Sequence, residues 1–183
     1  MKKLALALAA TGSFVLGTMS APAAASVETH EAKAEAANAA AIGRDDMYDA
    51  FGDVALKPGR FLWRDVPAGA GDERVVVSLG DQLAFLYRGD TLMAVTTISS
   101  GTSDKPTPTG IFNIHTKKTM HRSRKYENAP MPFAQFIDQY GIALHAGHLP
   151  GHPASHGCIR LPSQFAAKLY KVTGVGTTVM IGA

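Results

Sequence analysis

One stretch of this 183-residue chain, Gly141–Pro162 (GIALHAGHLPGHPASHGCIRLP), holds four of its seven histidines, its one cysteine and an arginine two positions past that cysteine. A sulfur nucleophile needs a base to take its proton, and the base needs a group that fixes its ring. Cys158 and His145 supply such a pair. If the imidazole is protonated beside the sulfur, it lowers the thiol pKa from its free value of roughly 8.5, and a thiolate exists at neutral pH. Gly157 removes a side chain where a substrate carbonyl has to approach the backbone. The N–H groups of Gly157 and Cys158 are candidate oxyanion donors, each worth on the order of 3 kcal/mol in the transition state. His156 competes for the role of base. Two positions before the sulfur in a tight turn, it is poorly placed to reach back, so His145 is preferred and His156 braces the turn. These residue types in this order point to acyl transfer through a cysteine.

The rival chemistry is metal binding. His145, His148, His152, His156 and Cys158 are dense enough to ligate zinc, which accepts imidazole and thiolate. Pro150 and Pro153 disfavour a helix there, no His-Glu-x-x-His pattern is present, and a second cysteine is lacking. No metal and no cofactor are therefore expected. His148 and His152 read as loop residues at the mouth of the site.

The elements that position these groups read as mainly β with one or two short helices. Arg74–Leu79, Gln82–Arg88 and Thr91–Ile98 are apolar and β-branched runs separated by Gly80-Asp81 and Gly89-Asp90, the pattern of consecutive hairpins. Thr107-Pro108-Thr109-Gly110 launches a further strand over Ile111–His115, with His115 read as a strand histidine at a sheet edge. From Lys117 to Tyr140 the pattern breaks. Lys117, Lys118, His121, Arg122, Arg124 and Lys125 form a basic run, interrupted afterwards by Pro130 and Pro132, and this segment reads as a solvated loop or a lid over the site. Ala134–Asp138 returns towards strand. Gly141–His145 is a strand, and period-two alternation puts Ala143 and His145 on one face and Leu144 on the other. Ser163 is the expected N-cap of a helix over Gln164–Lys171, with Phe165 and Leu169 on its buried face, and Thr177–Ile181 forms a last strand.

The N-terminus bears on where the thiol works. Lys2 and Lys3 precede an apolar run from Leu4 to Leu16, then small residues crowd up to Ala25, the pattern of a secretory signal peptide over residues 1–25. The run is broken by Thr11, Gly12 and Ser13 and is shorter than the roughly 20 residues of a spanning helix. Without Lys2 and Lys3, the 18 basic residues fall to 16 against 15 acidic, a net +1, and no basic run interleaved with aromatics suggests nucleic acid. A single cysteine in an exported chain is more readily a reactive thiol than half of a staple. Residues 26–71 read as a partly disordered tether with a packing strip: the alanine- and charge-rich segment after Glu28 has no apolar stripe, Met47, Tyr48 and Phe51 could dock, and Phe61, Leu62 and Trp63 pack. The folded domain is placed at 72–183, as an expected monomer.

Ser155-His156-Gly157-Cys158-Ile159-Arg160-Leu161, with His145 upstream, resembles the signature of the L,D-transpeptidase catalytic domain, also called YkuD. The likeness extends through Val75–Leu79, Gln82–Tyr87 and Thr107–Gly110, from about Arg74 to Ile181. It implies a β-sandwich-like fold, a periplasmic place in the cell envelope, and peptidoglycan stem peptides as partners. Such enzymes attack the carbonyl of the third-position diamino acid, release D-alanine, hold the stem as a thioester and pass it to an amine, on a second stem or on a protein. By position, Cys158 matches the nucleophile, His145 the base, the Ala146 carbonyl the group orienting that base, and His156, Gly157 and Cys158 the oxyanion segment. Arg160 falls where the family has Arg or Asn, and with Ser155 is assigned to substrate binding. Its guanidinium either grips a carboxylate bidentately or braces the loop. The His145–Cys158 gap is shorter than in many cell-wall members, and no peptidoglycan-binding repeat precedes the domain. Hydrolysis of the same bonds, as an L,D-carboxypeptidase or endopeptidase, is the alternative within this chemistry. A non-catalytic metal- or wall-binding module is the alternative outside it.

Overall fold

The computed structural model describes residues 27–183; the signal peptide expected over residues 1–25 lies outside them. In chain order the elements are α1 (His30–Phe51), β1 (Phe61–Trp63), β2 (Glu73–Ser78), β3 (Leu83–Arg88), β4 (Thr91–Thr97), β5 (Gly110–Asn113), β6 (Thr116–Ser123), β7 (Ala129–Phe136), β8 (Ala143–Ala146), β9 (Ile159–Leu161), α2 (Ser163–Val172) and β10 (Thr178–Gly182). They build a six-stranded sheet, ordered β1-β4-β3-β2-β10-β5, and a four-stranded sheet, ordered β6-β7-β8-β9.

The Gly-Asp breaks do make hairpins. β2 pairs antiparallel with β3, and β3 with β4, with Val75 opposite Leu86 and Val76 opposite Phe85. Because successive side chains alternate faces, Val75 and Val77 point into a core shared with Leu144, Ile159 and Leu161 of the second sheet. Val76, Phe85 and Met180 point the other way, against α1. Burial on both faces explains why β2 reads as an unbroken run of valines. β10 lies inside this sheet, parallel to β2 and antiparallel to β5.

Helix α1 corrects the tether reading of the segment after Glu28, and with it the expectation that the helices are short. The helix has 22 residues and buries Ala32, Ala36, Ala40, Gly43 and Met47, one stripe at helical spacing. Thr29 caps its start, Oγ1 accepting from the Ala32 N–H at 3.2 Å. The stripe escapes detection because alanine occupies buried and exposed positions alike. Small residues are what the packing needs: a Cβ on Gly43 would lie 2.7 Å from the Phe85 ring. The packing strip Phe61–Trp63 is strand β1, with the Phe61 and Trp63 rings edge-on to Phe165 at 5.6 and 5.9 Å.

Lys117–Tyr140 is a hairpin rather than a loop, β6 pairing antiparallel with β7. Its basic residues suit an edge strand, where charge discourages further pairing. Its prolines sit where β7 has β6 alone as a neighbour, since β8 pairs only with Gln135 and Phe136, the one-sided setting in which a strand tolerates proline. In α2, Ser163 is the first helical residue and not the cap; Pro162 takes the cap position without a side-chain bond. Phe165 and Leu169 are buried as the pattern required, and Ala166 is buried beside them. At the far end, the Lys117 ammonium donates to the Tyr170 carbonyl at 2.7 Å, a cation where the helix dipole is negative.

Candidate active site

Strand β8 carries His145 and runs parallel to β9, which begins one residue after Cys158; His145 lies opposite Arg160 and Leu144 opposite Ile159. Paired residues share a face, as do residues two apart on one strand. Cys158, two before Arg160, is therefore delivered to the face that carries His145 and Arg160. All three line a cavity of about 860 Å3, whose wall also includes Met131, Pro132 and Phe136 of β7.

The turn that presents the sulfur is held by the segment following β4. Ser99 and Arg160 exchange main-chain bonds of 3.1 and 3.0 Å, and the Ser100 carbonyl accepts from Ala154 and Ser155. The Thr107 hydroxyl accepts from the Gly101 N–H at 2.9 Å and donates to the Gly157 carbonyl at 2.8 Å. Within the turn, Ser155 Oγ accepts from the Gly157 N–H at 3.1 Å and donates to the Cys158 carbonyl. Two expectations change here. Ser155 is 2% exposed and spends its hydroxyl inside the turn, not on a substrate. The Gly157 N–H is committed to Ser155, so Gly157 supports the turn instead of serving as an oxyanion donor. Glycine is required there: φ is +107°, and a Cβ would meet Ile142 Cδ1 at 2.6 Å.

Cys158 is half-buried. Its thiol faces the Gly141 carbonyl at 3.6 Å, and the sulfur also receives the Ala143 N–H. His145 is 7% exposed, with Nδ1 2.8 Å from the Ala146 carbonyl. A carbonyl can only accept, so Nδ1 carries the hydrogen and Nε2 is the basic nitrogen. Burial pushes the His145 pKa below its ordinary value; the Ala146 bond opposes this, while Arg160 and His121 add to it. Burial likewise pushes the Cys158 pKa up, with Asp138 adding to the rise and the Ala143 bond and Arg160 opposing it. Both charged forms are disfavoured. Burial thus favours a neutral thiol beside a neutral imidazole over the ion pair the sequence suggested.

The tip of the β6–β7 hairpin folds onto the catalytic turn. The Tyr126 ring stacks on His156 with centroids 4.2 Å apart and planes 16° from parallel, which gives His156 its bracing contact. Lys105 and Lys125 place their ammonium groups 5.4 and 5.6 Å from the Tyr126 ring centroid. Arg160 is half-buried and its stem leaves no room for a side chain at Gly147. Among the described residues no carboxylate pairs with its guanidinium. His148 lines the cavity. His152 is turned to the Pro153 carbonyl, and His115 bonds Thr116 and the Asp138 carbonyl. Among the described residues no three His, Cys, Asp or Glu side chains converge on a point where a metal could sit. Sequence reasoning missed Ser99, Thr107, Tyr126 and Asp138. Thr107 stood in a segment singled out only as a strand launch, and Tyr126 was the lone aromatic of the basic run; Ser99 and Asp138 carry no local signal.

The sequence pattern of the YkuD family, the L,D-transpeptidase catalytic domain, matches residues 72–181. No curated protein sequence matches the chain. Among solved structures, an L,D-transpeptidase from Mycobacterium smegmatis is similar at 20% identity and TM-score 0.57, over 61% of this chain and 59% of that one. One from Stackebrandtia nassauensis gives 23% identity and TM-score 0.57, over 74% and 64%. An LD transpeptidase solved in complex with imipenem gives 20% and 0.55, over 60% and 58%. The chain thus spans less than two thirds of the length of each of these structures, and at these identities the likeness is one of fold.

Proposed function

The chain belongs to the L,D-transpeptidase catalytic domain family, and from that premise we propose that it is an exported cysteine acyltransferase that remodels peptidoglycan in the cell envelope. The observation that carries this reading is the parallel register of β8 and β9, which sets His145, Cys158 and Arg160 on one face of one cavity. The acyl donor is a stem peptide whose terminal D-alanine follows a diamino acid. As the Cys158 sulfur attacks the diamino-acid carbonyl, its proton passes to Nε2 of His145. Because the resting pair is neutral, this transfer accompanies attack instead of preceding it, which is general-base catalysis. With the Gly157 N–H occupied, the Cys158 N–H is the donor on this turn for the developing oxyanion. Collapse of the tetrahedral species breaks the peptide C–N bond. The imidazolium returns its proton to the departing D-alanine amine, and the stem remains as a thioester. An acceptor amine then attacks the thioester, His145 takes the amine proton, and the thiol is restored. Arg160, a half-buried cation with no carboxylate partner among the described residues, holds a donor carboxylate.

The test is to incubate the purified chain with tetrapeptide stems and read masses of protein and products. A thioester adduct, absent from Cys158→Ala, with formation of cross-linked stem dimers supports the proposal. Trimmed monomers alone assign the second step to water. An unmodified protein with unchanged peptides overturns the proposal.

A further inference from the structure

We propose that Asp138 is a positioning residue for the nucleophile: its carboxylate folds the turn over residues 138–142 so that the Gly141 carbonyl holds the Cys158 thiol proton until a donor enters the cavity. Asp138 Oδ1 accepts from the Tyr140 N–H at 3.0 Å and from the Ile142 N–H at 2.7 Å. The Ile137 N–H closes the base of the loop on the Ile142 carbonyl at 3.0 Å. Between the two bonded amides sits Gly141 at φ +97°, and its carbonyl lies 3.6 Å from Sγ. From behind, His115 Nε2 bonds the Asp138 carbonyl at 2.9 Å, pinning the turn to the start of β6. Asp138 is 9% exposed.

A neutral asparagine would fold the same kind of turn. What the carboxylate adds is a negative charge beside the sulfur. At that sulfur Asp138 favours the thiol and Arg160 of β9 favours the thiolate. The other titratable groups around the cavity are His121 on β6, His145 on β8, and His148 and His156 on the intervening loop, with Arg124, Lys125 and Tyr126 at the hairpin tip and Tyr140 on the Asp138 turn. Asp138 thus supplies a negative charge that opposes Arg160 at the sulfur, and its turn supplies the acceptor. Together they keep the S–H bond intact and aimed away from Nε2. Proton transfer to His145 then requires the thiol to leave Gly141, a rotation that the bound donor favours by bringing its carbonyl to the sulfur.

The inference rests on Cys158 as the nucleophile, and its test uses no donor, so it fails independently of the proposed function. With a single cysteine in the chain, iodoacetamide alkylation and the Raman S–H stretch both report on Cys158 alone. Asp138→Asn keeps an acceptor and removes the charge. Its alkylation profile should move to lower pH by about half a unit, about threefold more thiolate near neutrality. A purely structural Asp138 predicts no such movement, and an unmoved midpoint overturns the inference. In the unaltered chain the S–H band should lie at lower wavenumber than that of a free thiol, and Asp138→Ala should return it towards the free position. A band at the free-thiol position in the unaltered chain overturns the inference without reliance on any variant.

Discussion

Replacing Tyr126 by alanine tests whether the hairpin tip works by being docked on the catalytic turn. The ring makes three contacts that alanine cannot: the 4.2 Å stack on His156 and the approaches of Lys105 and Lys125. A stacked pair contributes about 0.5–1.5 kcal/mol beyond its area, and each exposed cation contact adds about 0.5 kcal/mol or less. The loss is then about 0.5–2.5 kcal/mol, which lowers the ratio of docked to undocked tips by about twofold to seventyfold. Phenylalanine keeps the ring face and should keep nearly all of this. Because the hairpin walls the cavity, a smaller docked fraction raises the apparent KM for the donor by up to the same factor, with kcat less affected. Hydrogen exchange reads the cause directly, since the Tyr126 and Ala129 amides are bonded within the tip and should exchange faster in Tyr126→Ala. Unchanged exchange and KM in that variant, or a phenylalanine variant as impaired as alanine, would refute the reasoning.

The acid limb of kcat/KM should fall below pH 6.5, because burial keeps His145 unprotonated as pH drops through its ordinary value; a limb at or above 6.5 would mean the imidazole is not shifted in this sense. Arg160→Met should raise KM for carboxylate-bearing donors by about tenfold to a hundredfold, the cost of about 1.5–3 kcal/mol for a charge-assisted bond. The same substitution should spare donors in which that carboxylate is amidated, and equal losses on both would refute the assigned contact. Gly43→Ala sets helix propensity, a gain of about 1 kcal/mol, against a Cβ 2.7 Å from the fully buried Phe85 ring. Overpacking costs about 1–3 kcal/mol, so urea unfolding should show net destabilisation. A stabilised variant would mean that α1 rides further from the sheet than described.

Local chemistry is what a sequence displays, and the site was legible in proportion to it. Cys158, His145 and Arg160 stand out by type, and Gly-Asp breaks mark the β2–β4 hairpins, so these could be placed without coordinates. The parallel partnerships, β8 with β9 and β10 with β2, bring together segments with no shared local signal. Helix α1 was hidden by its own solution to close packing, since an alanine stripe among alanines has no contrast. The β6–β7 hairpin was hidden because edge position excuses both its charges and its prolines. Ser155 shows the limit for side chains: a hydroxyl beside a nucleophile suggests substrate contact, and only the geometry reveals that both its bonds are spent on its neighbours.

The placement of β10 has a consequence for how the chain is made. Its partner β2 lies about a hundred positions earlier, and β5 can join the large sheet only through it. Contacts so distant along the chain close slowly, and a ribosome has to have synthesised Gly182 before this one can close at all. A premature stop before Thr178 would leave a chain with every catalytic group present on β8 and β9, but with β5 cut off from the large sheet that packs behind them.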